Sequence, residues 1–304
     1  MRSRDSLLVF DLFRLASALA VAVGHCWTIY NDFEVLTVGT MRVGRSGVAI
    51  LCAIGGYFAF LSRKGPSLPW LWKRLARVYP PFWATVTILV LANHWFHQRP
   101  VSLGLIVSEY AGIGFFTHGY ILGVHLWFIS LILVCYVGAA LIRKHVWLMP
   151  FVAAPLVFME ADVAELALCF LLGGATAVTR SWWPPALGIA SGILLGIEFN
   201  PDFRYLAIAG LAMLLAPRST AKSPPWIASS AQASYEFYLL HPIAYLFLKE
   251  VVGLGYWTNL VVGTLATIVG VPLLQWSIEY IEFWAACLVQ LMCRRPTPVE
   301  QPVP

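Results

Sequence analysis

Apolar positions gather into ten runs, at about 7–29, 44–61, 80–96, 120–142, 146–160, 163–179, 182–198, 203–217, 227–248 and 257–278, each bounded by charge, Pro or Gly. A helix needs about 20 mostly apolar residues to cross a hydrocarbon core of about 30 Å, so runs of this kind predict membrane spans, although several fall short of that length. A further stretch, Ser102 to Phe116, is only moderately apolar and carries Glu109; it is expected to be interfacial or re-entrant. Ten spans would leave both termini on one side. The expectation is an all-α polytopic bundle forming one membrane-embedded domain over 1–295, with a disordered Pro-rich tail over 296–304.

Charge placement tests that count. With the N-terminus cytoplasmic, the inside loops hold Arg2, Arg4, Arg63, Lys64, Lys73, Arg74, Arg77, Arg143, Lys144, Arg180, Arg218, Lys222, Arg294 and Arg295. The outside loops hold Arg42, Arg45, Arg99, Arg204 and Lys249, while Arg14 stays inside a span. Fourteen against five is the bias expected of cytoplasmic loops, and an extra span at 102–116 would reverse every later loop and spoil it. Most acidic residues, among them Asp32, Glu34, Glu160, Asp162, Glu198 and Asp202, land outside.

Composition agrees. The chain is 60% hydrophobic and only 12% charged, with a mean hydropathy of +0.75, where a soluble domain carries roughly 25% charged residues. The 13 Trp and 12 Tyr suit aromatic belts at the two membrane surfaces. The net charge of +5 comes from basic residues in short loops, a topology signal and not a footprint for nucleic acid. The cysteines are scattered without a CxxC pair or a Cys/His cluster, so neither a metal site nor a disulfide framework is expected.

Ionisable residues inside an apolar run cost several kcal/mol or more, and the first run carries three, Asp11, Arg14 and His25. Arg14 and His25 are eleven residues apart, roughly 1100° of helical rotation and about 16 Å of rise, so they share a face with His25 about three turns further along. Asp11 lies one turn below Arg14. In the loop that leads to the third run, Arg74 and Arg77 are spaced i, i+3 and also share a face; arginines so placed can grip phosphates bidentately. Cations at the cytoplasmic side and a titratable base higher on the same face suit a ligand with an anionic head and a long arm, the shape of an acyl-CoA. The bland alternatives are an intrahelical Asp11–Arg14 ion pair, a satisfied core histidine at 25, and a basic loop that only sets topology or touches lipid headgroups.

Five segments then resemble, in order, the motifs of the acyltransferase-3 family, integral-membrane enzymes that O-acylate polysaccharides and other carbohydrates. Asp11-Leu-Phe-Arg14 and the interval from Arg14 to His25 are similar to its D-x-x-R opening and R-x10-H motif. Arg74-Leu-Ala-Arg77-Val-Tyr79-Pro-Pro matches R-x-x-R-x-Y-P, and Leu126-Trp127-Phe128-Ile129-Ser130 resembles its W-F/S-L segment. Ser234-Tyr235-Glu236-Phe237-Tyr238-Leu-Leu-His241-Pro242 resembles S-Y-x-x-Y-x-x-H-P, and Ile278 to Phe283 is similar to a closing I-E element. Two positions depart from the pattern. Ile132, Leu133 and Val134 follow Leu131 where some members carry a glutamate, and Gly55-Gly56-Tyr57 replaces S-G-Y. The first departure leaves His25 as the leading base.

The resemblance implies that acyl-CoA, with acetyl-CoA expected, binds from the cytoplasm with its phosphates on Arg14, Arg74 and Arg77, Asp11 orienting Arg14 and Tyr79 beside them. His25, about 27 Å into the first span, would serve as general base or transient acyl carrier; an unperturbed imidazole pKa of about 6.5 suits either role. The acceptor would be a hydroxyl of an exported or lipid-linked glycan, with His241, Tyr238, Ser234 and Trp127 either on the acceptor side or structural. No metal is implied. The expected setting is the bacterial cytoplasmic membrane, among membrane lipids, as a homodimer or within a polysaccharide-export complex. His94, His97, His118 and His125 fall in outside loops, where histidines are usually solvated. The competing reading is a transporter or flippase for a lipid-linked or anionic substrate, to which paired arginines at the cytoplasmic mouth would be superfluous.

Overall fold

A computed structural model describes residues 7–31, 34–39, 41–61, 65–97, 100–117, 123–158 and 163–293. The tail 296–304, the charges Arg2, Arg4, Asp32, Arg63, Lys64, Arg99, Glu160, Asp162, Arg294 and Arg295, the His97 side chain and His118 lie outside them. Thirteen α-helices and one two-stranded ribbon, Thr37–Val38 with Met41–Arg42, make up the regular structure among the described residues. The all-α expectation holds, and four helices, Leu8–Tyr30, Val43–Leu61, Ser67–Trp95 and Tyr256–Ile281, are long and apolar enough to cross a membrane.

The first two helices follow the apolar runs closely. Helix α1 spans Leu8–Tyr30 and α2 spans Val43–Leu61. They approach through small residues: a Cβ on Gly24 would meet Gly44 at 3.1 Å, and one on Gly47 would meet the Ser17 carbonyl oxygen at 2.5 Å. Close backbone approach of this kind is how membrane helices associate where lipid removes the hydrophobic drive.

Helix α3, Ser67–Ala92, begins well before the predicted 80–96. Pro80 and Pro81, read in the sequence as a helix start, lie within it. Proline withholds an N–H from the helix, yet packed helices tolerate it when neighbours satisfy the freed groups. The early start puts Arg74 and Arg77 on an established helix. Ser102–Phe116 resolves into α4, Leu103–Ala111, and α5, Gly114–Thr117, joined at Gly112 with φ +73°. Nine residues rise only about 14 Å, too little to cross. This hairpin leans on the middle of α3, where the Tyr79 hydroxyl donates to the Ala111 carbonyl at 2.9 Å and the Trp83 indole to Tyr110 at 2.9 Å.

The next helices are α6 (Trp127–Ile142), α7 (Met149–Val157), α8 (Ala164–Thr179), α9 (Trp183–Glu198) and α10 (Arg204–Leu215). All five are shorter than a standard span. Helices α2 and α8 form the tightest crossing, fixed at the α2 N-terminus by a partly buried ion pair in which Arg45 Nε donates to Glu165 at 2.7 Å. The predicted run 227–248 is two helices, α11 (Pro225–Gln232) and α12 (Ser234–Glu250), because the chain turns at Ala233 and the Ser234 hydroxyl folds back onto the Ala231 carbonyl at 2.8 Å. Helix α13, Tyr256–Cys293, outruns the predicted 257–278. The main core lies among α2, α3, α6, α8 and α10, and a second cluster joins α1 to α12 and α13 through Ala18, Ala22, Cys26, Phe237, Tyr245 and Val271.

Candidate active site

The arginine cluster is built in from three directions. At the start of α1, the Leu8 amide donates to the Ala221 carbonyl at 2.9 Å, drawing the linker before α11 alongside. Ser223 is thereby placed to donate to Asp11 Oδ2 at 2.5 Å, while Arg14 Nη1 donates to Asp11 Oδ1 at 3.2 Å. Asp11 is 1% exposed, so its charge is held by these two partners, and Arg14 is oriented in turn. The Arg14 guanidinium also stands 4.9 Å from the Phe58 ring centre.

Arg14, Arg74 and Arg77 line one cavity of about 160 Å³, closed by Ile54, Gly55 and Phe58 of α2 and by Gln232, Ser234 and Tyr235. At ~30 Å³ per water this is room for about five waters, enough for phosphate groups and not for a whole coenzyme. Arg74 also donates to the Phe58 carbonyl at 3.3 Å and lies over Trp70 and Tyr136 at 5.6 and 5.8 Å. Tyr235 closes the wall by donating to the Val78 carbonyl at 2.9 Å. Tyr79 is placed differently from its sequence expectation: it is not in the cavity wall, and its hydroxyl is committed to Ala111.

Further along α1, His25 and His241 meet. Nδ1 of His25 and Nε2 of His241 are 2.8 Å apart, with the ring centres 5.0 Å apart and 14° between their planes. His241 is fully buried and is also bonded through Nδ1 to the Phe237 carbonyl at 3.1 Å. His125 completes a trio, its ring centre 6.2 Å from His25 and 6.3 Å from His241. It donates from Nε2 to the Leu239 carbonyl at 3.3 Å, and the Tyr238 hydroxyl donates to the His125 carbonyl. Trp127 packs edge-on to Phe128 and against Phe115 of α5, in the wall of this region. Among the described residues no group of three or more His, Cys, Asp or Glu is arranged to hold a metal ion.

The two ends are joined by α1 and α12, which run in the same direction. Ser234, Tyr238 and His241 follow at i, i+4 and i+7 along one face of α12, as Arg14, Ala18, Val21 and His25 do along α1. Ser234 stands at the arginine cavity and His241 at His25. Between them Ala18, Val21 and Tyr238 are buried, so the seam is closed.

A family model described as an acyltransferase domain, that of the acyltransferase-3 family, matches residues 7–276. The chain belongs to that family. It is therefore an acyltransferase, and the arginine and histidine clusters both lie within the matched region. No curated protein and no solved structure matches the chain.

Three residues of this acyltransferase were misplaced or overlooked in its sequence. His125 was assigned to an outside loop, but it is only 6% exposed and packs on both other histidines. The signal was available, because His125 falls within the apolar run 120–142, where an ionisable group calls for a reason as His25 does. Arg143, counted only as a loop charge, is buried with its guanidinium 4.5 Å from Trp70, the ring that also carries Arg74. Ser223 has no sequence signal at all, since its role depends on a partner 212 residues away. His94 lines a separate open cavity of about 590 Å³ with Asn93, Trp95 and Ile106, at the far end of α3 from the arginines.

Proposed function

We propose that this acyltransferase takes an acyl group, acetyl in the first instance, from cytoplasmic acyl-CoA and delivers it to a carbohydrate hydroxyl at the opposite face of the bacterial cytoplasmic membrane. The observation that carries the reading is the pairing of an arginine-lined cavity with a buried histidine cluster about 16 Å further along the same face of α1. Arg14, Arg74 and Arg77 hold the coenzyme's phosphates, the acyl-pantetheine arm parts α1 from α12, and the thioester reaches His25. His25 removes the proton from the acceptor hydroxyl as its oxygen attacks the thioester carbonyl. The coenzyme stays on the cytoplasmic side while the acyl group crosses most of the membrane.

The reading includes ten spans with both termini cytoplasmic, supported by the apolar runs and by the bias of Lys and Arg toward one set of loops. Shorter helices such as α7 and α10 then sit among longer neighbours. The paired arginines weigh against a transporter, which has no need of a phosphate grip at its cytoplasmic mouth.

The test is turnover of acetyl-labelled acetyl-CoA by the purified protein in detergent, followed as thiol release and as label on added glycan. Loss of a general base costs roughly 10²–10⁴-fold in rate. His25→Ala should lose turnover on that scale and keep its affinity for acetyl-CoA. Turnover by His25→Ala equal to the parent would end the proposal.

A further inference from the structure

The hydrogen bonds around His25 do more than surround it; they dictate which of its nitrogens is basic. A backbone carbonyl can only accept, so the 3.1 Å contact from His241 Nδ1 to the Phe237 oxygen places a proton on Nδ1. A neutral imidazole with a proton on Nδ1 has a bare Nε2. That bare nitrogen is the atom 2.8 Å from His25 Nδ1, so the shared proton belongs to His25 Nδ1. His25 is then left with its lone pair on Nε2, the nitrogen that His241 does not engage. The assignment comes wholly from the partners, as tautomers do when hydrogens are inferred from a network.

We infer that His241 is a positioning residue that fixes His25 in the Nδ1-protonated tautomer and thereby presents Nε2 as the base. The inference rests on the reading of His25 as the base and adds which atom reacts and what holds it. His241 never touches substrate. Phe237 anchors it at one end, and its own helix supplies that anchor one turn earlier in the chain. His125 is excluded from the same task by position, because its ring stands edge-on to His25 with centres 6.2 Å apart, against 5.0 Å for His241. The two rings are nearly parallel, 14° between planes with centres 5.0 Å apart, which sets the bond close to the plane of each ring.

The chemistry then balances without a third group. As the acceptor oxygen bonds to the thioester carbonyl carbon, His25 Nε2 takes the hydroxyl proton. The C–S bond breaks, and Nε2 returns that proton to the departing thiolate. His25 ends neutral, with its Nδ1 proton still donated to His241, ready for another cycle. An imidazole in the other tautomer would present an N–H to the hydroxyl and could not accept its proton.

The first test is spectroscopic and does not depend on turnover. The full-length protein in detergent, labelled with ¹⁵N and ¹³C in histidine, should show a ring bearing a proton on Nδ1 and none on Nε2, a signal that vanishes in His25→Gln. Finding His25 protonated on Nε2 overturns the inference, whereas inactivity toward acetyl-CoA with the Nδ1 tautomer intact would overturn only the proposed reaction. The second test compares His241→Leu with His241→Gln by acetyl-CoA turnover, read as thiol release. A glutamine carbonyl reaches the place of Nε2 and accepts the His25 proton; leucine cannot. His241→Leu should lose kcat roughly 10²–10⁴-fold with KM for acetyl-CoA within about twofold, and His241→Gln should recover at least tenfold of that loss. Equal kcat for the two variants, or a leucine variant as fast as the parent, overturns the inference.

Discussion

Gly56 sits where α2 crosses α8 with no space for a methyl group. A Cβ added there would stand 1.8 Å from the Phe170 carbonyl oxygen, and one at Gly173 would stand 1.9 Å from that of Ala53. Both obstacles are backbone, which cannot swing aside as a side chain would. To restore an ordinary separation, Gly56→Ala must open the crossing by roughly 1 Å, and a gap of that size forfeits up to about half of the dispersion energy between facing atoms. The side chains affected include Cys52, Ala53 and Phe60 on α2 and Leu166, Cys169 and Phe170 on α8, all at most 2% exposed. Overpacking typically costs about 1–3 kcal/mol, and with rigid backbone at the contact Gly56→Ala belongs at about 3 kcal/mol or above. At ~2–4 °C per kcal/mol for a large domain, the melting temperature should fall by about 6–12 °C. Because α2 carries Ile54, Gly55 and Phe58 into the arginine cavity, the proposed function also predicts that affinity for acyl-CoA weakens with it. The assay is thermal unfolding in detergent by tryptophan fluorescence, with Gly138→Ala on α6 as control, since nothing lies within 4 Å of a Cβ there. In a companion variant, Gly55→Ala, the added Cβ meets Ile132 at an ordinary 3.5 Å, and the variant should melt like the parent. If Gly56→Ala melts within about 2 °C of Gly138→Ala, the packing argument fails.

Two further outcomes follow from the proposed function. Arg74→Ala and Arg77→Ala should each weaken acetyl-CoA binding by about 1.5–3 kcal/mol, roughly 10- to 150-fold in Kd by calorimetry, and lysine should rescue only in part because it lacks the planar fork; parent-like affinity in both alanine variants would place the coenzyme elsewhere. A topology reporter fused after Lys144 should read cytoplasmic and one fused near Asp162 outside, and the reverse at either position would break the ten-span arrangement.

The apolar runs foretold α1, α2, α8 and α9 to within a residue or two, because each of these helices begins and ends at charge, Pro or Gly that no partner overrides. Helix α3 escaped because Pro80 and Pro81 look like a boundary in isolation; packing against α4, α6 and α12 lets the helix run through them. The break at Ala233 escaped for the opposite reason: Ile227 to Leu248 is apolar enough to read as one helix, and the turn at Ala233, beside the Ser234-to-Ala231 bond, carries no Pro or Gly to announce it. Spacing alone put Arg14 with His25 and Arg74 with Arg77, since i, i+3 and i+11 relations are properties of a single helix. It could not bring those two pairs together, nor place His125, Arg143 or Ser223, because those meetings are made between helices far apart in the chain.

Both ends of α1 depend on one distant segment. Asp11 is completed by Ser223, 212 residues away, and His25 by His241, 216 residues away. The separations are nearly equal because α1 and the 221–241 segment run side by side in the same direction, so a single docking event assembles the cation site and the histidine pair together. An antiparallel partner would have paired Ser223 with the His25 end and left Asp11 with Arg14 alone. The cost of placing Asp11 and His25 in an apolar helix is thus offset by one neighbour, while Arg14 is held by Asp11 and by Phe58 of α2. In the proposed function that neighbour is also the second wall of the seam through which an acyl arm would pass, which ties the position of His25 to that of the arginine cavity. A slide of α12 along α1 would displace His241 from His25 while shifting Ser234 at the cavity, so the two clusters are mechanically one site.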